Sequence, residues 1–308
     1  MTYNVFSIPP ATLLASAVNF FIYDTIKIFL LLIVIIFVIS IIRSFLPPER
    51  IRTILSHERT YIGNVLASLL GIVTPFCSCS AVPLFLGFVR AGVPLGVTFS
   101  FLVASPMINE VALVLLFGLF GLKIAALYVI SGLIIAILSG IVIGKLKVEN
   151  LLKEFVFEKG AAQGYIFEMT WKDRVAYAKA YTLEILHKVW PYILLGVGLG
   201  AWIHGYVPAD LIARYAGGIK WYAVPVATLL GIPLYSNAAG VIPLVSALTE
   251  KGVAMGTTLA FMMAVTALSL PEFMILKTVM KTRLIIIFAS IVGAGIIFTG
   301  YLFNFILR

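Results

Sequence analysis

Four uninterrupted apolar runs, Ile26–Leu46, Ile124–Gly144, Leu186–Tyr206 and Leu284–Phe305, constrain this chain more than any other feature. Each holds about 20 residues, and at about 1.5 Å of helix per residue each matches a hydrocarbon core of about 30 Å. Composition agrees: 62% of the 308 residues are hydrophobic and 11% charged, which leaves too little polar surface to cover a water-soluble globule. The fold class is therefore an all-α integral membrane protein. The net charge of +9 sits in short segments between apolar runs, where it reads as a topology signal and as contact with anionic lipid, and no nucleic-acid partner is expected. The first 23 residues contain no Lys or Arg, so no cleavable signal is expected there. The chain's two cysteines, Cys77 and Cys79, cannot build a disulfide framework.

Between the long runs lie interrupted ones. Tyr61–Val89 and Pro94–Gly121 are broken by Pro75, Pro83 and Pro106, and Trp221–Leu248 and Ala254–Leu270 are broken or followed by Pro225, Pro233, Pro243 and Pro271. Broken segments survive at membrane depth only where protein or a cavity takes up the freed backbone groups. The interruptions recur. A shift of 160 residues aligns Gly71–Ala104 with Gly231–Ala264 without a gap and with ten identities, among them Gly71/Gly231, Pro83/Pro243, Gly92/Gly252 and Gly96/Gly256; chance would give roughly three. The same shift lays Ile26–Leu46 on Leu186–Tyr206, so a whole unit is duplicated.

Charge placement favours an inverted duplication. With the N-terminus outside, Tyr61–Val89 and Trp221–Leu248 as re-entrant hairpins and three crossings per half, 16 of the 22 Lys and Arg lie on the cytoplasmic side. Eight full crossings place only 12 there, a poorer fit to the positive-inside rule. The resulting organisation is a membrane repeat over residues 1–146, a charged cytoplasmic connector over 147–183 that includes an amphipathic surface helix around Trp171–Leu186, and a second repeat over 184–308.

The chemistry concentrates at the breaks. Thr74-Pro75-Phe76-Cys77-Ser78-Cys79-Ser80, with Pro83 following, describes two half-helices and an unwound link that offers carbonyls, helix N-terminal amides and the side chains of Thr74, Ser78 and Ser80. Thiolates prefer soft ions, so Cys77 and Cys79 suit trivalent arsenic or antimony, copper(I) or a reactive sulfur species; two small cysteines packed between helices are the alternative. The equivalent stretch carries Tyr235, Ser236 and Asn237 after Pro233 and before Pro243, which gives soft sulfur on one side of a midplane pocket and amide and hydroxyl groups on the other, unless Asn237 only caps its half-helix. Further on, Ser105-Pro106-Met107-Ile108-Asn109-Glu110 and Ser269-Leu270-Pro271-Glu272 place carboxylates beside apolar runs. Intramembrane carboxylates are candidates for proton or ion coupling, so Glu110, Asn109 and Glu272 take that role, against structural pairing of Glu110 and an interfacial place for Glu272 near Lys277. His57, His187 and His204 lack neighbours at ligand spacing, and no nucleotide loop, zinc spacing or hydrolase set occurs; no cofactor is expected.

The run T-P-F-C-S-C-S-A-V-P, followed by G-V-P-L-G-V-T-F-S-F-L-V-A-S-P-M-I-N-E, resembles the predicted permease family of bacteria and archaea that contains the ArsP-type organoarsenical efflux permeases. The likeness runs from about residue 25 to 305. It implies a multi-span secondary transporter in the cell membrane, exporting trivalent methylated or aromatic arsenicals with Cys77 and Cys79 as substrate ligands. The partners expected are a small-molecule solute, membrane lipids and a second copy of the chain. The alternatives are a permease for a sulfur-containing anion or a soft metal ion, and a membrane thiol oxidoreductase.

Overall fold

The structure is a computed structural model that describes residues 13–45, 60–73, 78–153, 170–206, 220–234 and 238–307. Those residues are almost entirely helical and contain no strand, only an isolated antiparallel bridge between Leu152 and Met280. The elements are α1 (Leu13–Phe45), α2 (Thr60–Val73), α3 (Ser78–Arg90), α4 (Leu95–Met107), α5 (Glu110–Lys145), a 3-10 turn (Glu149–Leu151), α6 (Trp171–Tyr206), α7 (Ala223–Gly231), α8 (Ala238–Glu250), α9 (Met255–Ala267), α10 (Leu270–Val279) and α11 (Thr282–Ile306).

The shift of 160 residues is visible in these boundaries: α3 and α4 map onto α8 and α9 residue for residue. One long helix, α5, stands against two shorter ones, α10 and α11. The difference is slight, because α5 leaves helical geometry at Gly121 (φ 81°, ψ 173°), the position equivalent to Lys281 just before α11. Both halves therefore hold a short helix of about 10 residues followed by a membrane-length one. Ala112–Lys145 and Thr282–Ile306 are long and apolar enough to cross a membrane, and Met255–Ala267 with Glu272–Val279, bent by 40°, makes a third if taken as one broken span. Large apolar side chains point outward along the way, such as Leu122, Phe298 and Phe305, as lipid contact requires.

Turn chemistry explains the helical hairpins. At the end of α3, Gly92 at φ 79° donates to Val89 O, and Val93 N–H reaches Phe88 O. That is the glycine-closed C-cap in which only a residue without Cβ takes the left-handed position comfortably. Gly252 and Val253 repeat both bonds at the end of α8. The chain then folds back, so that Phe85 meets Phe99 at 5.2 Å between ring centroids and Phe88 meets Phe101 at 5.1 Å.

Helix α2, by contrast, runs parallel to α4. Asn64, early in α2, bonds to Gly96 and Ser100, early in α4, while a Cβ on Gly71, late in α2, would lie 2.9 Å from Ala104 Cβ, late in α4. It follows that α2 and α3 run in opposite directions. The second half repeats this: Val224 and Ala260 both face Gly300, and a Cβ on Gly231 would come within 3.0 Å of Ala264 Cβ. Lipid tails give helices no hydrophobic reason to associate, so close approach through small residues supplies the packing. Gly96 against Gly140 and Gly144, and Gly256 against Gly300 and Asn304, are the closest such approaches.

Helices α4 and α9 sit at the centre. Every residue of α4 is buried, as is all of α9 from Gly256 onward, and the two pack against each other. Around them α1 lies along α6, its counterpart in the duplication, and α5 along α11. Helix α6 is continuous from Trp171, so the amphipathic stretch expected on the surface is the first part of a membrane-length helix. Thr170 donates its hydroxyl (2.6 Å) and its N–H (3.1 Å) to Asp173 at the start of α6, and these bonds hold the exposed Asp173 carboxyl below the usual carboxylate range. A lowered folded pKa means that this end-stabilisation is complete above the ordinary aspartate pKa and is lost as pH falls through the lower folded value. Amide hydrogen exchange over residues 171–175 is expected to accelerate relative to α11 in that acid window, and an unchanged ratio would contradict the assignment.

Candidate functional site

Each half ends its buried central helix at mid-depth and starts again. Helix α4 stops at Met107, and Asn109 opens α5 as its N-cap, the side-chain oxygen accepting from Ala112 N–H at 2.7 Å. Asn109, expected to take part in coupling, thus has its acceptor engaged in holding the helix start. Helix α9 stops at Ala267, and Ser269 precedes α10 with no side-chain cap bond. Glu272 lies in the first turn of α10 and is 1% exposed. The interior position excludes the interfacial alternative for this carboxylate. Shifted by 160, Glu110 falls on Leu270 and Glu272 on Ala112, so the two carboxylates occupy the first and third positions of their half-helices. A helix N-terminus favours the ionised form at either place.

The hairpin ends lie against these breaks. A Cβ on Gly71 would be 3.1 Å from Ser105 N. Beyond α7, Ile232 O accepts from Leu270 N–H at 2.8 Å, which ties the turn containing Pro233 to the start of α10. Cross-packing joins the halves: α3 contacts α10, and α8 contacts α5. Tyr128, fully buried on α5, donates to Met107 O at 3.0 Å, and its hydroxyl also meets that of Thr266 on α9. Ser105 Oγ is buried at the same level and makes no hydrogen bond among the described residues.

Thr74, Pro75, Cys77, Tyr235, Ser236 and Asn237 lie outside the described residues. Ser78, Cys79 and Ser80 form the first turn of α3, as Ala238 begins α8. Glu110 begins α5. Three expected breaks are corrected by the fold: Pro83, Pro106 and Pro243 lie inside the continuous helices α3, α4 and α8. A proline inside a helix removes one donor without necessarily ending it. The positions four residues earlier are Cys79, Leu102 and Ala239, whose carbonyls therefore lack the helical i+4 donor. Among the described residues, no three His, Cys, Asp or Glu side chains gather as a metal site would require.

Sequence reading passed over Asn64, Tyr128, Ser105, Thr266 and Asn304. Only one signal marked them, a polar residue within an otherwise apolar run, and that signal does not separate a lipid-facing position from a central one.

An all-helical chain with apolar outer faces and two fully buried central helices that each stop partway is an integral membrane protein built around internal breaks. A model of the predicted permease family ArsP_1 matches residues 13–305, and the chain belongs to that family. It is 25% identical to UPF0718 protein MJ0584 of Methanocaldococcus jannaschii, over 79% of this chain and 84% of that protein. It is 26% identical to a Streptococcus mutans protein described, by name only, as a two-component membrane permease complex subunit, over 81% of this chain and 82% of that one. UPF0718 protein YraQ of Escherichia coli is 23% identical, over 85% and 73% of the two chains. No solved structure matches.

Proposed function

We propose that the protein is a secondary-transporter-type permease of the cell membrane that exports a thiophilic solute, of which trivalent organoarsenicals are the best-fitting class. One observation carries the transporter reading: the two central helices α4 and α9 are buried throughout yet each ends after 13 residues, with a buried carboxylate, Glu272, opening the continuation of one of them. Broken helices meeting near the midplane are how transporters of this general kind form solute sites. In this reading Cys77 and Cys79 exchange onto the arsenic(III) centre, while Thr74, Ser78, Ser80 and, from the other half, Tyr235, Ser236 and Asn237 orient it. The 13- and 14-residue lengths of α3 and α2 give hairpin arms of about 20 Å, too short to span and long enough to reach past the midplane.

The two halves are inverted in this account. Support comes from the connector: six residues after α5 ends, Leu151 O accepts from Lys281 N–H at 2.9 Å, and Lys153 N–H donates to Val279 O at 3.1 Å. The end of α5 and the start of α11 thus share a side. Equivalent helices α5 and α11 then point in opposite directions, in agreement with the charge distribution. A relative named as a subunit of a two-component complex supports a partner subunit or a second copy beside this chain.

Glu272 carries the coupling proton in this reading, with Glu110 as its counterpart. Glu272→Gln removes the exchangeable charge at nearly constant volume, and pH-gradient-driven transport is expected to fall by about tenfold or more while solute exchange without a gradient persists. Equal gradient dependence in wild type and variant would remove Glu272 from the mechanism. The reading as a whole is tested by reconstituting the purified chain in vesicles and following a trivalent methylarsenical. Saturable movement supports it, and movement no faster than through empty vesicles overturns the arsenical assignment.

A further inference from the structure

The duplication supplies an internal control for one cavity. In the second half, α9 is preceded by Ala254, which has no capping side chain, and Asn304 of α11 takes over that work from 47 residues away. Its side-chain oxygen accepts from Thr257 N–H at 3.2 Å, and its Nδ2 donates to Thr257 Oγ1 at 3.1 Å. Thr257 N–H is one of the first-turn donors that no helix can satisfy internally. In the first half α4 follows Pro94, which likewise offers no side-chain cap. The position equivalent to Asn304 there is Gly144.

Where the carboxamide would lie, the first half holds a cavity of about 260 Å³, far larger than the ~15 Å³ one water needs. Asn64, Gly96 and Gly144 line it together with the exposed side chains of Tyr61, Lys145 and Glu149. Asn64 is completely buried and spends both amide hydrogens on α4, at Gly96 O (3.3 Å) and Ser100 Oγ (2.8 Å). Its side-chain oxygen is buried with no hydrogen-bond partner, a deficit that native interiors normally satisfy. The cavity therefore offers a cation and the positive end of α4 toward an anionic group, and a carboxylate and a bare amide oxygen toward a donor.

We propose that this cavity holds the headgroup of an amine-bearing phospholipid of the ethanolamine type. The phosphate lies between Lys145 and the first turn of α4, and the ammonium lies between Glu149 and Asn64. A lipid rather than a free phosphomonoester is favoured by what adjoins the opening: beyond Tyr61, the outer face of α2 exposes Ile62, Val65, Leu66 and Leu69 at helical spacing, a groove-side stripe for an acyl chain. Such a lipid would fasten the base of the α2–α3 hairpin in one half only, the other being closed by Asn304. The inference rests on the membrane reading and is independent of which solute is carried.

Native mass spectrometry of the full-length protein in mild detergent, titrated with dioleoyl phosphatidylethanolamine, phosphatidylcholine and phosphatidylglycerol, tests it. Wild type is expected to retain the ethanolamine lipid preferentially. Gly144→Asn installs the side chain that fills the equivalent space in the second half; its Cβ meets nothing nearer than Gly96 Cα at 3.2 Å, which needs only a slight adjustment. That variant, and Lys145→Gln at an exposed position, are each expected to retain the lipid about tenfold less well. Equal retention of all three lipids, or wild-type retention in both variants, overturns the proposal. A thermal shift with free phosphoethanolamine as large as that with the lipid would also overturn it, assigning the cavity to a soluble zwitterion.

Discussion

Cys77→Ser and Cys79→Ser are each expected to reduce transport of a trivalent methylarsenical by about 100-fold or more while leaving the amount of folded protein unchanged. Arsenic(III) is a soft centre, and its affinity for thiolate over hydroxyl is the reason a Cys-x-Cys pair would serve as ligand at all. Serine keeps the size and hydrogen bonding of the side chain and removes only that preference. The fold gives the substitution little to disturb, since Cys79 begins α3 in the same place that Ala239 occupies near the start of α8. Transport assays in vesicles at matched protein content check this. Undiminished transport in both variants would leave the thiols peripheral and favour a solute held by backbone amides, such as a sulfur oxyanion.

The second large effect concerns packing. Gly140→Ala and Gly256→Ala are each expected to destabilise the fold by about 3 kcal/mol or to prevent its assembly. A Cβ at 140 runs into Ser100 Oγ and the Gly96 carbonyl and would lie 2.7 Å from Asn64 Nδ2. A Cβ at 256 runs into the Gly300 carbonyl and would lie 2.5 Å from Asn304 N. Backbone atoms cannot rotate away as the end of a long side chain can, so the helices themselves must separate. Gly118→Ala is the control, since a Cβ there meets nothing within 4 Å, and it is expected to be neutral or slightly stabilising. Thermal unfolding in detergent separates the cases, and similar midpoints for all three variants would contradict the packing account.

Most of the architecture was legible before any coordinates, because membrane-length apolar runs and an ungapped offset of 160 residues are periodic signals that survive in one sequence. The long helices α5 and α11 contain the runs Ile124–Gly144 and Leu284–Phe305, and the broken segments became the paired short helices. Proline was the less reliable signal. Pro233 does lie in a turn, yet Pro83, Pro106 and Pro243 are accommodated within helices, because in a buried bundle neighbouring elements hold the helix together around one missing bond. The interruptions of α4 and α9 fall instead at Ile108 and Leu268, apolar residues with no breaker signature of their own. What sequence could not supply was partnership across distance. Asn304 capping α9, Asn64 reaching over Gly140 and Tyr128 joining Met107 to Thr266 each connect residues 21 to 138 positions apart. Periodicity along one helix carries no information about these pairs.

The central claim is that the two halves face opposite sides of the membrane, so that their hairpin ends and helix breaks face one another inside it. Ala91 and Lys251 are equivalent positions in the turns after α3 and α8. Single cysteines placed at either, in a background with Cys77 and Cys79 replaced by serine, can be labelled from one side with a membrane-impermeant maleimide in intact cells and again after permeabilisation. The account predicts that position 251 reacts in intact cells and position 91 only after permeabilisation. Reaction of both from the same side would contradict the inverted arrangement and the shared site that depends on it.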